Sequence, residues 1–241
     1  MAEDLSIAII EVEIVRPGAA PIPGCLAKPK GVDRAPGVLV IHEAAGLNEN
    51  IRGIAGHFAR AGYVALAVDL FAGGNRALCM LRVMGEPFLR PLDNSGLRTL
   101  RSSIDWLQLR PEVDAARIGV IGFCMGGSYA LMLACVEDDL KAASTFYGNN
   151  PRPLSAVAEA CPIVGSYGSK DPFTRRAAVK LEAALTHYGV PHDIKIYPGA
   201  HHAFFNDRLP TYNAEAARDA WERTLAFFHD YLDAAADPPA G

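Results

Sequence analysis

The sequence predicts an α/β fold, a mainly parallel sheet flanked by helices on both faces, and two observations carry that prediction. Segments of strand and helix character alternate along the chain. Most strand candidates are unbroken apolar runs rather than alternating ones, the pattern of strands covered on both faces by crossover helices. In such folds the ligand site lies beyond the carboxyl ends of the strands, so polar residues just after those runs are the ones that matter.

Taken in order, residues 5–15 mix apolar and acidic side chains and read as an edge strand. Residues 37–42 form a short apolar run after Pro36, a buried strand. Ile51, Ile54, Ala55 and Phe58 recur at helical spacing and predict an amphipathic helix over 48–60. Another buried strand covers 63–68 and ends at Asp69. Residues 71–94 have no clear period and hold Gly73, Gly74, Gly85 and two prolines; they read as an excursion over the site that selects substrate. Leu97, Leu100, Ile104 and Leu107 predict a helix over 97–109, followed by a strand at 117–121 and a helix at 125–136 with small and apolar residues all round. Further strands are expected at 142–146, 162–166 and 192–197, and helices at 173–188 and 213–232. The Ala- and Pro-rich tail from residue 234 reads as frayed. A single domain over residues 1–241 accommodates all of these elements.

Half of the 241 residues are hydrophobic and 21% are charged, enough for a full core and too apolar for a disordered chain. The net charge is −4 and the longest basic groupings are pairs such as Arg175-Arg176, which argues against a nucleic-acid partner. No apolar run approaches the ~20 residues of a membrane span. The acidic start Met1-Ala2-Glu3-Asp4 is unlike a secretory signal, so a cytoplasmic protein without membrane partners is expected. The five cysteines, Cys25, Cys79, Cys124, Cys135 and Cys161, are odd in number and include no C-x-x-C pair. That speaks against a disulfide framework or a thiolate zinc site. A buried free Cys is usually just a small apolar residue. Cys124 departs from that reading.

The most informative turn is Gly122-Phe-Cys-Met-Gly-Gly127. It fits G-x-C-x-G, a nucleophile elbow with Cys in place of Ser, between a predicted strand and a predicted helix as the motif requires. Such a turn strains the nucleophile's backbone, and side chains two residues either side would collide with neighbouring elements. Its position at a helix N-terminus favours thiolate, which matters because a free thiol near pKa 8.5 is only a few per cent ionised at about pH 7. A Rossmann fingerprint, G-x-G-x-x-G, fails because Cys124 occupies its second glycine position.

Two further candidates follow in the order acid, then histidine. Asp171 comes after the 162–166 strand in Gly168-Ser-Lys-Asp171-Pro172, and His202 comes after the 192–197 strand in Gly199-Ala-His-His202-Ala-Phe204. In this reading Cys124 is the nucleophile, His202 is general base and then acid, and Asp171 fixes the imidazole. His201 beside His202 raises a metal pair, but no carboxylate or Cys ligands stand at matching spacing, and no metal is expected. The loop His42-Glu43-Ala44-Ala45-Gly46 is not the zinc-protease H-E-x-x-H, since position 46 is Gly. It stands where a backbone N–H completes an oxyanion hole, which assigns those donors to Ala44 and Met125.

Together these segments resemble the dienelactone hydrolase family of α/β-hydrolases. The resemblance rests on residues 42–52, 62–70, 122–127, 167–171 and 199–204 and spans most of the chain. It implies an α/β-hydrolase fold and cysteine-dependent hydrolysis of a small ester or lactone through a thioester, with no cofactor. A dienelactone (carboxymethylenebutenolide) is the implied substrate. The family pattern sets the catalytic His directly before small-Phe, selecting His202 over His201. It also implies that Glu43 takes the Cys124 thiol proton when substrate binds, leaving the resting residue mostly thiol. Where the family carries a carboxylate-binding Arg four residues after the catalytic His, this chain has Asn206. Arg208, Arg76 and Arg82 are the candidates to replace that charge. A general carboxylesterase and a catalytically silent binding module are the competing functions, the latter disfavoured by intact Cys124, Asp171 and His202. A redox role for Cys124 lacks a nearby resolving Cys. A monomer or small homo-oligomer is expected.

Overall fold

The computed structural model describes residues 6–16, 18–72 and 74–233, so the predicted frayed tail, Leu5 and Gly73 lie outside the described residues. Its strands are β1 (Ile7–Arg16), β2 (Ala19–Pro29), β3 (Ala35–Ile41), β4 (Val64–Val68), β5 (Val113–Phe123), β6 (Leu140–Phe146), β7 (Ile163–Gly168) and β8 (His192–Tyr197). The helices are α1 (Glu49–Arg60), α2 (Arg76–Leu89), α3 (Ser95–Gln108), α4 (Met125–Ala134), α5 (Arg175–Tyr188) and α6 (Ala214–Phe228). One sheet holds all eight strands in the order β1-β2-β4-β3-β5-β6-β7-β8. The β1–β2 and β2–β4 pairings are antiparallel, and every pairing from β4 to β8 is parallel.

The unbroken apolar strands serve two cores. On β3, Leu39 and Ile41 point to the face where Leu100 of α3, Leu131 of α4 and Leu181 of α5 are buried. Val38 and Val40 point to the other, against Phe58 of α1 and Phe228 of α6. α4 is apolar all round because it sits under the middle of the sheet, beside β5 and β6. The helix at 48–60 begins with Asn48 as its cap, the side chain accepting from the Ile51 N–H.

Two elements differ from the sequence reading. β2 was not anticipated, because Pro21, Pro23, Gly24 and Pro29 read as loop. The sheet tolerates Pro21 and Pro23 because β4 pairs only with Gly24–Ala27, leaving the earlier part of β2 bonded to β1 alone. The excursion at 71–94 contains a 14-residue helix, α2. Only Val83 of α2 is buried, while Leu78, Leu81, Phe88 and Leu89 are exposed, so no single apolar stripe marks it as a helix. Asn75 caps it, accepting from the N–H groups of Ala77 and Leu78.

α2 hangs on few contacts. The Tyr129 hydroxyl of α4 donates to the Val83 carbonyl at 2.7 Å, and the Glu86 carboxylate accepts the Ser95 N–H at 2.6 Å. Gly96 makes room for Tyr129, since a Cβ there would lie 2.4 Å from its hydroxyl. Tyr129→Phe therefore leaves a buried carbonyl unpaired. We expect it to lower the unfolding free energy by about 1 kcal/mol and to speed amide exchange across α2, both measured against wild type.

Candidate active site

β5 runs into α4 through a turn whose geometry only glycine permits on either side of Cys124. Cys124 itself holds φ 54° and ψ −114°, a conformation costly for a residue with a side chain. A Cβ at Gly122 would sit 1.9 Å from the Gly126 carbonyl oxygen, and one at Gly126 would sit 2.3 Å from that of Ile41. One at Gly127 would lie 2.7 Å from the Phe146 oxygen. The turn is thus pressed against the ends of β3 and β6, and the Cys124 N–H donates to the Phe146 carbonyl at 3.0 Å.

The same contact brings the loop after β3 beside the turn. His42 pins that loop: it is wholly buried, with Nδ1 2.7 Å from the Glu43 carbonyl oxygen, while Nε2 accepts the Leu70 N–H at 3.0 Å. That pattern fixes the proton on Nδ1. Among the described residues, no hydrogen bond engages the N–H groups of Ala44 and Met125.

Asp171 and His202 come from the loops after β7 and β8. Asp171 is 1% exposed and its Oδ2 lies 2.7 Å from His202 Nδ1. Burial pushes its carboxyl up, but hydrogen bonds from His202, the Thr174 hydroxyl and the Phe173 N–H outweigh it and bring the pKa down to about 2. Burial likewise disfavours a charged His202. The bond to Asp171 and the proximity of Cys124 prevail, raising the imidazole to about 10. Its Nδ1 is held by the buried carboxylate.

Glu43 is 9% exposed, and its Oε1 accepts from Asn206 Nδ2 at 2.7 Å. Asn206, where the family's Arg is missing, is therefore occupied in holding Glu43. The sequence reading passed over Tyr147, at the end of β6 with φ 43°. Its ring centroid lies 4.9 Å from that of His202. Burial first, then the charges of Glu43, Cys124 and Asp171, hold its hydroxyl protonated well above the usual phenol value. Its place directly after a parallel strand was the available signal.

Cys124, Met125, Tyr147 and His202 open into a cavity of about 780 Å³, roofed by α2 through Val83, Met84 and Phe88. The excursion therefore lies over the site, as a helix. The arginines nominated from sequence are not brought to this cavity. Arg76 bonds Asp69 at 3.0 Å and lies over Phe71; Arg82 pairs with Glu86 at 3.5 Å on the α2 surface. Arg208 lines a separate groove with Tyr212 and Trp221. The cations on the cavity are Arg152, Arg176 and Lys180, which sequence reasoning did not single out. His201 is exposed, and among the described residues no cluster of three or more His, Cys, Asp or Glu side chains is placed to hold a metal.

The fold is that of an α/β-hydrolase, with Cys124 at the tight turn between β5 and α4. The model of the dienelactone hydrolase family matches residues 22–232, and the chain belongs to that family. It is 35% identical, over 243 aligned residues, to a provisionally named carboxymethylenebutenolidase of Saccharolobus solfataricus, covering 86% of this chain and 93% of the relative. A Bradyrhizobium protein, provisionally named a 2-oxo-3-(5-oxofuran-2-ylidene)propanoate lactonase, is 30% identical across 86% of this chain and 88% of its own. A crystal structure of a provisionally named dienelactone hydrolase from Klebsiella pneumoniae superposes with a TM-score of 0.82 at 30% identity, over 94% of this chain and 100% of the other.

The depressed Asp171 carboxyl has a consequence for stability. A carboxylate whose folded pKa is about 2, against an ordinary 3.8, contributes stability that is present above the ordinary value and lost as pH falls through the folded one. The Tm advantage of wild type over Asp171→Asn should therefore be full between about pH 5 and about pH 6.5, close toward about pH 2, and shrink again toward about pH 10, where His202 loses its proton. An advantage that does not change with pH in calorimetry would show that the carboxylate charge contributes nothing.

Proposed function

We propose that this family member hydrolyses a small ester or lactone through a thioester on Cys124. The observation that carries the reading is the strained Cys124 turn facing a histidine that is itself held by a buried aspartate. The sulfur attacks the carbonyl carbon, its proton passes to a base, and the C=O electron pair moves onto oxygen. The Ala44 and Met125 N–H groups receive that oxyanion. Collapse expels the alkoxide, which His202 protonates; in a lactone the alcohol stays tethered to the acyl group. Water, deprotonated by His202, then attacks the thioester and releases the acid, restoring the sulfur.

Two groups are placed to accept the thiol proton. His202, with its pKa raised to about 10, borders the same cavity as Cys124. Glu43 is held away on Asn206 and takes the proton once substrate displaces it. A lactone bearing a carboxylate, of which a dienelactone is the reference compound, is supported by the names of the relatives. The enzyme works as a monomer or small homo-oligomer on a small molecule, without metal, organic cofactor, nucleic acid or membrane. Five free thiols fit a cytoplasmic, reducing compartment.

Steady-state assays with a dienelactone and p-nitrophenyl acetate test the roles. Cys124→Ala should abolish turnover of both, and iodoacetamide should silence the wild-type enzyme. Activity that survives alkylation would rule out the thioester route. Glu43→Gln should lower kcat by about 100-fold, the lower end of the range for a lost proton acceptor. Unchanged turnover in Glu43→Gln, beside a dead Cys124→Ala, would assign the thiol proton to His202 alone.

A further inference from the structure

The cavity is larger than a compact lactone needs and its charge is one-sided. Its walls away from Cys124 are apolar, formed by Met84, Phe88, Met132, Leu154 and Phe173. At about 780 Å³ it falls in the upper part of the range of roughly 300–1,000 Å³ that takes drug-sized ligands. Among the described residues lining it there is no Asp or Glu, whereas Arg152, Arg176 and Lys180 all border it.

These three cations are not engaged by protein anions. Among the described residues none of them forms a salt bridge, and Arg152 only lies over the Phe88 ring, 5.6 Å from its centroid. Arg176 and Lys180 stand four residues apart on α5, so they share a helix face. Their distance from the chemistry follows from the helix. Thr174, at its start, bonds Asp171, which bonds His202. Arg176 lies two residues beyond Thr174, about 3 Å along the axis at about 1.5 Å per residue, and Lys180 six residues beyond it, about 9 Å. The cations thus run along α5 away from the Asp171 contact, with Lys180 the farther.

We infer that the cavity selects elongated esters with an apolar body and a terminal carboxylate, the carboxylate held by Arg176 and Lys180 with Arg152 at the rim. This rests on the ester-hydrolase reading and specifies its substrate class. A dienelactone occupies only the Cys124 end, its carboxylate too near the carbonyl to span to Lys180. The body of a longer substrate lies beneath α2, where Met84 and Phe88 replace water along it.

The test compares kcat/KM for the mono-p-nitrophenyl ester of suberic acid with that for p-nitrophenyl octanoate. It also compares 8-acetoxyoctanoate with its methyl ester, which puts the carboxylate on the alcohol side. At least one anionic member should exceed its neutral partner by about tenfold, an advantage that high salt erodes. The short succinate hemi-ester should gain no such advantage over p-nitrophenyl butyrate. In Arg176→Ala/Lys180→Ala the anionic-to-neutral ratio should fall to about one while Tm stays at the wild-type value. A preference in neither pair, an equal gain for succinate, or a preference that survives in the double variant overturns the inference. Cys124→Ala separates the two levels. If it still hydrolyses these esters, the thioester reading fails; if it is inactive while wild type treats charged and neutral esters alike, only the substrate class fails.

Discussion

The close approach of three backbone segments around Cys124 is the constraint on which the site depends. Gly122, Gly126 and Gly127 let the elbow touch itself, the end of β3 and the end of β6 at distances that a single Cβ would forbid. That contact holds Cys124 at positive φ, a conformation that costs of order 1–3 kcal/mol and persists only where its surroundings dictate it. The surroundings here are β3, β5 and β6, buried on both faces, so the whole parallel sheet holds the strain in place. The same packing sets the Glu43-Ala44 loop and Tyr147 beside the sulfur.

Electrostatics then divides the buried charge into two bonded sets. Asp171 is satisfied by His202, Thr174 and the Phe173 N–H, while Glu43 is satisfied by Asn206. An unpaired carboxylate at either place would carry a large desolvation cost, so each anion needs its own donors. The separation has chemical content. Asp171 raises the proton affinity of His202, and Glu43 is bonded to Asn206 rather than to His202. Tyr147, kept protonated amid these anions, retains an O–H to donate.

α2 is bound far more lightly than the elements beneath it. With only Val83 buried, it holds to the body through Tyr129, Glu86 and the Arg76–Asp69 pair. A roof of that kind can vary in sequence without disturbing the nucleophile turn, which separates substrate selection from chemistry. The cations that border the cavity belong to α5 and to the loop after β6 rather than to this roof. The roof and the cationic border of the cavity thus come from different elements.

Much of this protein was legible in the residues themselves. Apolar runs and helical spacings near Ile51, Leu97 and Phe146 are local signals, and the elbow glycines, Asp171 and His202 each follow a strand in an order that the fold class requires. β2 and α2 were not legible, because Pro21 and Pro23 are tolerated only where a strand lacks a second partner, and α2 buries one face position only. The destinations of long side chains were decided by tertiary structure alone. Arg76, Arg82 and Arg208 looked as eligible as Arg176 or Lys180, since every arginine carries the same charge and a reach of several ångströms. Which of them meets Asp69, Glu86 or open cavity depends on where distant segments pack. The sequence by itself determined the nucleophile turn, its order of partners and the layered sheet, all of which rest on local backbone chemistry. Only the folded arrangement decided that Asn206 holds Glu43 and that the positive end of the cavity lies on α5, because both are contacts between residues far apart in the chain.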